Sequence, residues 1–263
     1  MFTLSMVYPH VKYSAGCWGA GDVVPTTWRE RRRAEAVAEI KDVARRLLVA
    51  GGPSAISLRA ISREMGMTTS ALYRYFASLD ALVAALRGEL FEELGRVTQS
   101  ARDEAPTDDP ILRVLAMARA FRQWGLEHRQ EFGLMLGPPV AGVVGPDQEP
   151  SAPDDAVACV GVAFLGEFAE LWRRGTLVIP AVDPIEGYLV PSLDMYVAER
   201  ADLEPLVVFA FLSAWTKLYG IIAMEIFGHM TWAVTDTEEF FEAELAEFAR
   251  QLAGETNNVP GPG

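Results

Sequence analysis

The stretch Ile56-Ser-Leu-Arg-Ala-Ile-Ser-Arg-Glu-Met-Gly-Met-Thr-Thr-Ser-Ala-Leu-Tyr-Arg-Tyr-Phe76 carries two short helical patterns separated by a glycine. Ser57 is a good N-cap, because its hydroxyl can accept from the free amides of a first turn. Leu58, Ile61 and Met65 then mark one inner face over about two turns. Gly66 can take a positive φ and turn the chain. Thr68 can cap a second helix, expected over Thr69–Phe76, in which Leu72 and Phe76 share a face. Thr69, Ser70, Tyr73 and Arg74 point elsewhere. Two short helices across a tight glycine turn form a helix-turn-helix.

The flanks extend this pattern. From Thr27, the residues Val37, Ile40, Val43, Ala44, Leu47 and Leu48 recur at helical spacing, and Gly51-Gly52-Pro53 stops the run. Asp80 opens a longer helix to about Ala105, striped by Leu82, Leu86, Leu90 and Leu94. Further helices are expected over Ile111–His128, Gln130–Leu136, Asp154–Arg174, Pro205–Phe227 and Thr237–Leu252. Pro- and Gly-rich loops lie at 137–153 and 175–204. The short β-like pieces Ile179-Pro180 and Tyr188–Pro191 do not add up to a sheet. The fold class is therefore all-α. The expected organisation is an N-terminal extension (1–26) lacking order, a three-helix helix-turn-helix domain (27–94), a larger helical ligand-binding and dimerisation domain (95–254) and a tail without order (255–263).

Charge is split along the 263 residues. Residues 1–86 carry 11 Lys/Arg and 7 Asp/Glu, whereas the remainder carries 12 and 29, for a total of −13. A basic front end on an acidic body points to an anion-facing segment and a body with another task. Two distant cysteines, Cys17 and Cys159, are no disulfide framework and fit a reducing, cytoplasmic location. The histidines His10, His128 and His229 are scattered, so no metal site or cofactor is expected. Gly16–Gly21 looks like a glycine loop but follows no strand and opens no helix. No apolar run reaches the about 18–20 residues of a membrane span, so no membrane partner is expected. Catalysis is not expected either. There is no Gly-x-Ser-x-Gly, His-Glu-x-x-His or Walker loop, and Asp154-Asp155 and Glu238-Glu239 sit at helix starts, where carboxylates favour the dipole.

A recognition helix needs small or polar residues where its backbone approaches the major groove. Thr68, Thr69, Ser70 and Ala71 fit that need. Tyr73 and Tyr75 can reach phosphates or sugars, and Arg74 or Arg59 can supply charge or a base contact. The string resembles the DNA-binding motif of the tetracycline-repressor (TetR) family in the order of its parts: capped helix, Ala60-Ile61, Gly66 turn, Thr68 cap, then Leu72-Tyr-x-Tyr-Phe76. The similarity spans roughly residues 34–94. It implies a double-stranded DNA operator as partner, with Ser57, Arg59, Thr68, Thr69, Ser70, Tyr73 and Tyr75 at the DNA surface and Ile61, Leu72 and Phe76 in the small core. The chain departs from the family at Leu79, where a lysine often meets phosphate; arginines of the first helix are candidates to replace it.

The acidic body suits a small molecule and a twin subunit. Phe121–Pro138, with Trp215-x4-Gly220, resembles a C-terminal domain class named for a Trp-His-Gly motif, although Tyr219 stands where that class has histidine. Candidate residues for contact with a small apolar or aromatic effector are Met117, Phe121, Trp124, Phe132, Met135, Phe164, Phe168, Trp172, Trp215, Tyr219 and Met224. His128 reads as a helix C-terminal residue favoured by the dipole. The last two helices carry apolar surface enough to pair with their copies, and the resemblance implies a homodimer there. Together these readings describe a ligand-responsive repressor on a palindromic operator. An activator of the same fold, or a helical interaction module without DNA binding, are the alternatives.

Overall fold

The computed structural model describes residues 27–105, 108–137, 153–179 and 204–254; the expected extension at 1–26, the tail from 255 and most of both long loops lie outside them. Among the described residues there is no strand, and nine α-helices follow one another: α1 (Trp28–Gly51), α2 (Leu58–Glu64), α3 (Thr69–Leu72), α4 (Leu79–Glu104), α5 (Pro110–Glu127), α6 (Arg129–Leu136), α7 (Pro153–Arg173), α8 (Pro205–Ile226) and α9 (Thr237–Leu252). A 3₁₀ turn, Pro53–Ala55, joins α1 to α2.

Local chemistry sets the helix ends. Thr27 and Glu30 form a reciprocal capping box at the start of α1, and Gly52 at φ 73° ends it. Ser57 Oγ accepts from the Ala60 amide at 3.1 Å, as its N-cap reading requires. Ser78 does the same for Ala81 at the start of α4, and Asp236 for Glu239 at the start of α9. Thr68 occupies the N-cap of α3 with extended backbone, but its side chain makes no capping bond.

The contacts divide the chain into two units, one of Met1–Arg96 with Glu127–Val160 and one of Val97–Leu126 with Gly161–Gly263. In the first, Ile40, Val43, Ala44, Leu48, Ile61, Leu72, Leu82 and Leu86 are buried, while α6 packs on α1 and on the 3₁₀ turn. Arg45 of α1 is held there by Glu93 of α4 at 2.7 Å and by the buried Glu131 of α6 at 3.2 Å. His128 directly follows the last residue of α5, as a helix C-terminal residue would, and also stands at the N-cap of α6 (φ −121°, ψ 48°), with Glu131 at 3.6 Å and Glu93 at 3.8 Å from its ring nitrogens.

In the second unit, Phe164, Phe168 and Leu171 form the buried stripe of α7. Two carboxylates are buried against arginines. Glu167 of α7 accepts from Arg102 and, at 2.8 Å, from Arg113. Glu225 of α8 accepts both prongs of Arg122 from α5 at 2.7 Å and the Thr237 hydroxyl at 2.6 Å. The Arg122 guanidinium also lies 4.9 Å from the centre of the Phe241 ring.

Helix α8 corrects one expectation. By length and composition it is long and apolar enough to cross a membrane: 22 residues, containing an 18-residue stretch of mean hydropathy 1.8, of which 22% is buried within the protein. The sequence reading required an unbroken apolar run, and Lys217 and Glu225 interrupt one; averaged over an 18-residue stretch, such charges do not offset so many Val, Ile, Leu and Phe residues.

Candidate DNA interface and effector cavity

Helix α3 is shorter than its sequence pattern suggested. It ends at Leu72, and the Tyr73–Tyr75 segment continues as a turn. Its last bonds tighten to i→i+3 geometry, with Arg74 N donating to Ala71 O (3.3 Å) and Tyr75 N to Leu72 O (2.8 Å). The aromatic pair in Tyr-Arg-Tyr favours a helix weakly, and Leu72 and Phe76 are both pulled into the core beneath. Gly66 makes the turn between α2 and α3 at φ +65°.

None of the nine residues expected at the DNA surface is buried. Arg59, Thr68, Ser70, Tyr73 and Arg74 are exposed; Ser57, Thr69, Ala71 and Tyr75 are half-buried. Tyr73 leaves 55% of its surface open, a large aromatic area with nothing over it. The Thr69 hydroxyl faces the interior, 3.1 Å from the buried Ser62 Oγ, which also donates to the Leu58 carbonyl. Ser62 thus latches α2 to α3. Sequence reasoning missed it, because a serine mid-helix carries no sign of a partner seven residues on.

An apolar cavity of about 100 Å³ opens in the second unit among α5, α7, α8 and α9. Val114, Ala118, Phe164, Phe168, Phe211, Trp215, Phe241 and Phe248 line it, with Lys217, Glu244, Glu247 and Gln251 among its polar lining residues. The rings interlock: Trp215 lies 5.7 Å from Phe164 edge-on and 6.0 Å from Phe211, and Phe168 meets Phe211 at 6.0 Å. Lys217 Nζ donates to Gln251 Oε1 at 3.2 Å, and Gln251 donates in turn to Glu247 at 3.0 Å.

Of the expected effector contacts, this cavity brings together Phe164, Phe168 and Trp215. Phe121 stands one layer back, stacked on Trp215 at 5.5 Å. Met117 and Trp124 are buried in α5 and do not line it, and Tyr219, half-buried on α8, does not either. Phe132 and Met135 are buried in α6, in the first unit. Trp172 and Met224 are exposed. Phe211, Phe241 and Phe248 were missed. For α9 the signal was present: Phe241, Leu245, Phe248 and Leu252 recur at helical spacing. For α8 there was none, because a helix apolar all round marks no inner face.

A glycine-turned helix pair with an open polar edge, joined to an all-helical body, defines a helix-turn-helix transcriptional regulator. Residues 40–86 match the family described as "Bacterial regulatory proteins, tetR family", and residues 114–248, half the chain, match "Tetracyclin repressor-like, C-terminal domain". The chain belongs to the TetR family of DNA-binding transcriptional regulators. It is 29% identical over 230 residues to the HTH-type transcriptional regulator Rv1816 of Mycobacterium tuberculosis, covering 86% of this chain and 95% of that protein. Among solved structures it resembles SCO4313, at 28% identity and a TM-score of 0.61, over 84% of this chain and 98% of that one. It shares its fold with RolR, solved with its ligand resorcinol, at 18% identity and a TM-score of 0.53, over 89% of this chain and 98% of that one.

Proposed function

We propose that this regulator is a ligand-responsive repressor that binds a near-palindromic operator as a homodimer in the cytoplasm. The observation that carries the DNA half is the open edge of Arg59, Thr68, Ser70, Tyr73 and Arg74 over a closed core. Small and hydroxylic residues let the backbone approach base edges, while Tyr and Arg reach outward to phosphates or to guanine.

The dimer rests on α8 and α9. On α8, Leu212, Thr216, Met224 and Phe227 beyond its end are exposed, with the small Ser213, Gly220 and Ala223 between them; on α9, Ala243 and Ala246 are exposed. Apolar surface with small residues lets two helices approach closely, and a two-fold axis there would present two recognition elements to successive major grooves. The same helix holds Glu225 in a buried ion pair on its inner side, which suits a helix packed within protein better than one in lipid.

The effector site is the aromatic cavity. A cavity of about 150 Å³ holds benzene, so about 100 Å³ suits a single ring or smaller, with any polar substituent directed to Lys217 and Gln251. An effector that binds better to the dimer with misaligned recognition elements weakens operator binding by the factor by which operator weakens effector binding; a coupling of ~1–3 kcal/mol gives ~5–150-fold.

Selection from a random double-stranded DNA pool tests the reading. The expected result is a palindrome bound by dimer with a steep salt dependence, lost in the Thr69→Ala, Tyr73→Ala double variant. Titration of that complex with one-ring aromatic compounds should release the DNA. Operator affinity indifferent to the whole panel would end the effector half; failure to select any sequence at low salt would end the DNA half.

A further inference from the structure

The recognition segment is held from above by a residue 41 positions earlier in the chain. Arg33, on the second turn of α1, donates from its guanidinium to the Arg74 carbonyl at 2.9 Å, and the same group lies 5.5 Å from the centre of the Tyr75 ring. Among the described residues no carboxylate lies within ion-pair distance of Arg33, whose exposed side chain meets these two groups.

These contacts fall where α3 needs them. The helix has four residues, and beyond Leu72 the backbone runs as a turn whose amides satisfy the last helix carbonyls, while the Arg74 carbonyl lies past the helix in that turn. Leu72 and Phe76 fix the segment from beneath; from the outside, Arg33 takes the Arg74 carbonyl. The planar guanidinium donates in its plane and lies near the Tyr75 ring, so one group restrains both backbone and side chain.

We propose that Arg33 is a positioning residue for operator recognition: it pre-orders the Tyr73–Tyr75 turn, so that these side chains need not be immobilised when DNA binds. This rests on the DNA-binding reading of that turn given above. Pre-ordering favours the specific complex, in which Tyr73, Arg74 and Tyr75 must take one arrangement, and leaves unchanged the non-specific complex, in which they need not. A phosphate contact by Arg33 would instead act on both complexes and on their salt dependence.

The test compares full-length unmodified protein, Arg33→Ala and Arg33→Lys, each checked for an unchanged thermal midpoint, on the selected operator and on a scrambled duplex. For Arg33→Ala we expect specific affinity to fall about tenfold, the scale of losing one charge-assisted bond, with non-specific affinity and both salt slopes unchanged. Arg33→Lys should restore only part of the loss. In a Tyr75→Leu background the Arg33→Ala penalty should shrink, because the two act through each other. In the free protein, the Tyr75 and Phe76 amides should exchange faster with solvent in Arg33→Ala. A salt slope lower by about 0.9 on both duplexes, or full rescue by lysine, would make Arg33 a phosphate contact and overturn the proposal, as would unchanged exchange and affinity. If the unmodified chain selects no operator, the DNA-binding reading fails and Arg33's role in recognition falls with it; an intact operator complex indifferent to Arg33→Ala removes Arg33 alone.

Discussion

Glu167 is 1% exposed and is faced by Arg102 from α4 and Arg113 from α5. A buried carboxylate is tolerable only with such partners, since taking an unpaired charge out of water is costly. Removing it strands the Arg113 guanidinium and leaves Arg102 with Asp103. Glu167→Ala should lower unfolding stability by about 3–5 kcal/mol, the scale for breaking a buried pair from one side, measured by urea titration; a loss below 1 kcal/mol would mean the arginines find water instead. The sequence announced none of this. A glutamate at position 167 interrupts an apolar face, and nothing in the string says which arginines, 65 and 54 residues earlier, will meet it. The exposed edge of Arg59, Thr68, Ser70, Tyr73 and Arg74 was legible, because hydroxyls, a glycine and aromatic pairs at fixed short spacing report a local geometry.

Helix boundaries were legible to within one or two residues wherever a cap, a proline or a glycine stood, and Thr237–Leu252 was matched at both ends. Helix α3 was not, because its end is set by the pull of Leu72 and Phe76 on the core and not by a stop residue. Gly66 offers a clean test of turn chemistry. Nothing lies within 4 Å of a Cβ placed there, so Gly66→Ala meets no clash and bears only the cost of φ +65°. That cost is about 1–2 kcal/mol, and denaturant midpoints should report it; no change would show that the turn relaxes. The α5–α9 pair tests pH. Arg119 grips Glu242 at 2.8 and 2.6 Å and, chiefly through that hydrogen bond, holds its carboxyl below the usual carboxylate range. A depressed pKa stabilises above the ordinary value and is lost as pH falls through the lowered one. The pair is about half exposed, so its worth is ~0.2–1 kcal/mol. Glu242→Gln should cost that much at pH 7 and nothing well below the ordinary carboxylate pKa; an equal loss at both would assign the effect to packing.

For the whole molecule, Gly220 decides between surfaces. A Cβ placed there meets nothing within 4 Å in the protomer, and leaving glycine favours a helix by ~1 kcal/mol. Gly220→Arg should therefore leave each protomer folded yet split the proposed dimer, seen as a halved mass in sedimentation, and weaken operator binding by more than tenfold. A variant that stays dimeric moves the interface elsewhere. The all-α architecture could be read from periodicity alone. The cavity could not, since its walls come from four helices and one of them, α8, has apolar residues on every side.

The Arg122–Glu225 pair has a consequence for how this protein can change over generations. Glu225 is bound to α5 through Arg122 and to the start of α9 through Thr237. An apolar couple of similar volume could occupy positions 122 and 225 at little loss, but each intermediate with one charge replaced leaves the other stranded in the interior. Two acceptable sequences are thus separated by an unacceptable one. Drift at these positions is blocked by the route and not by the destination, and a descendant with neither charge would have had to acquire both changes nearly at once.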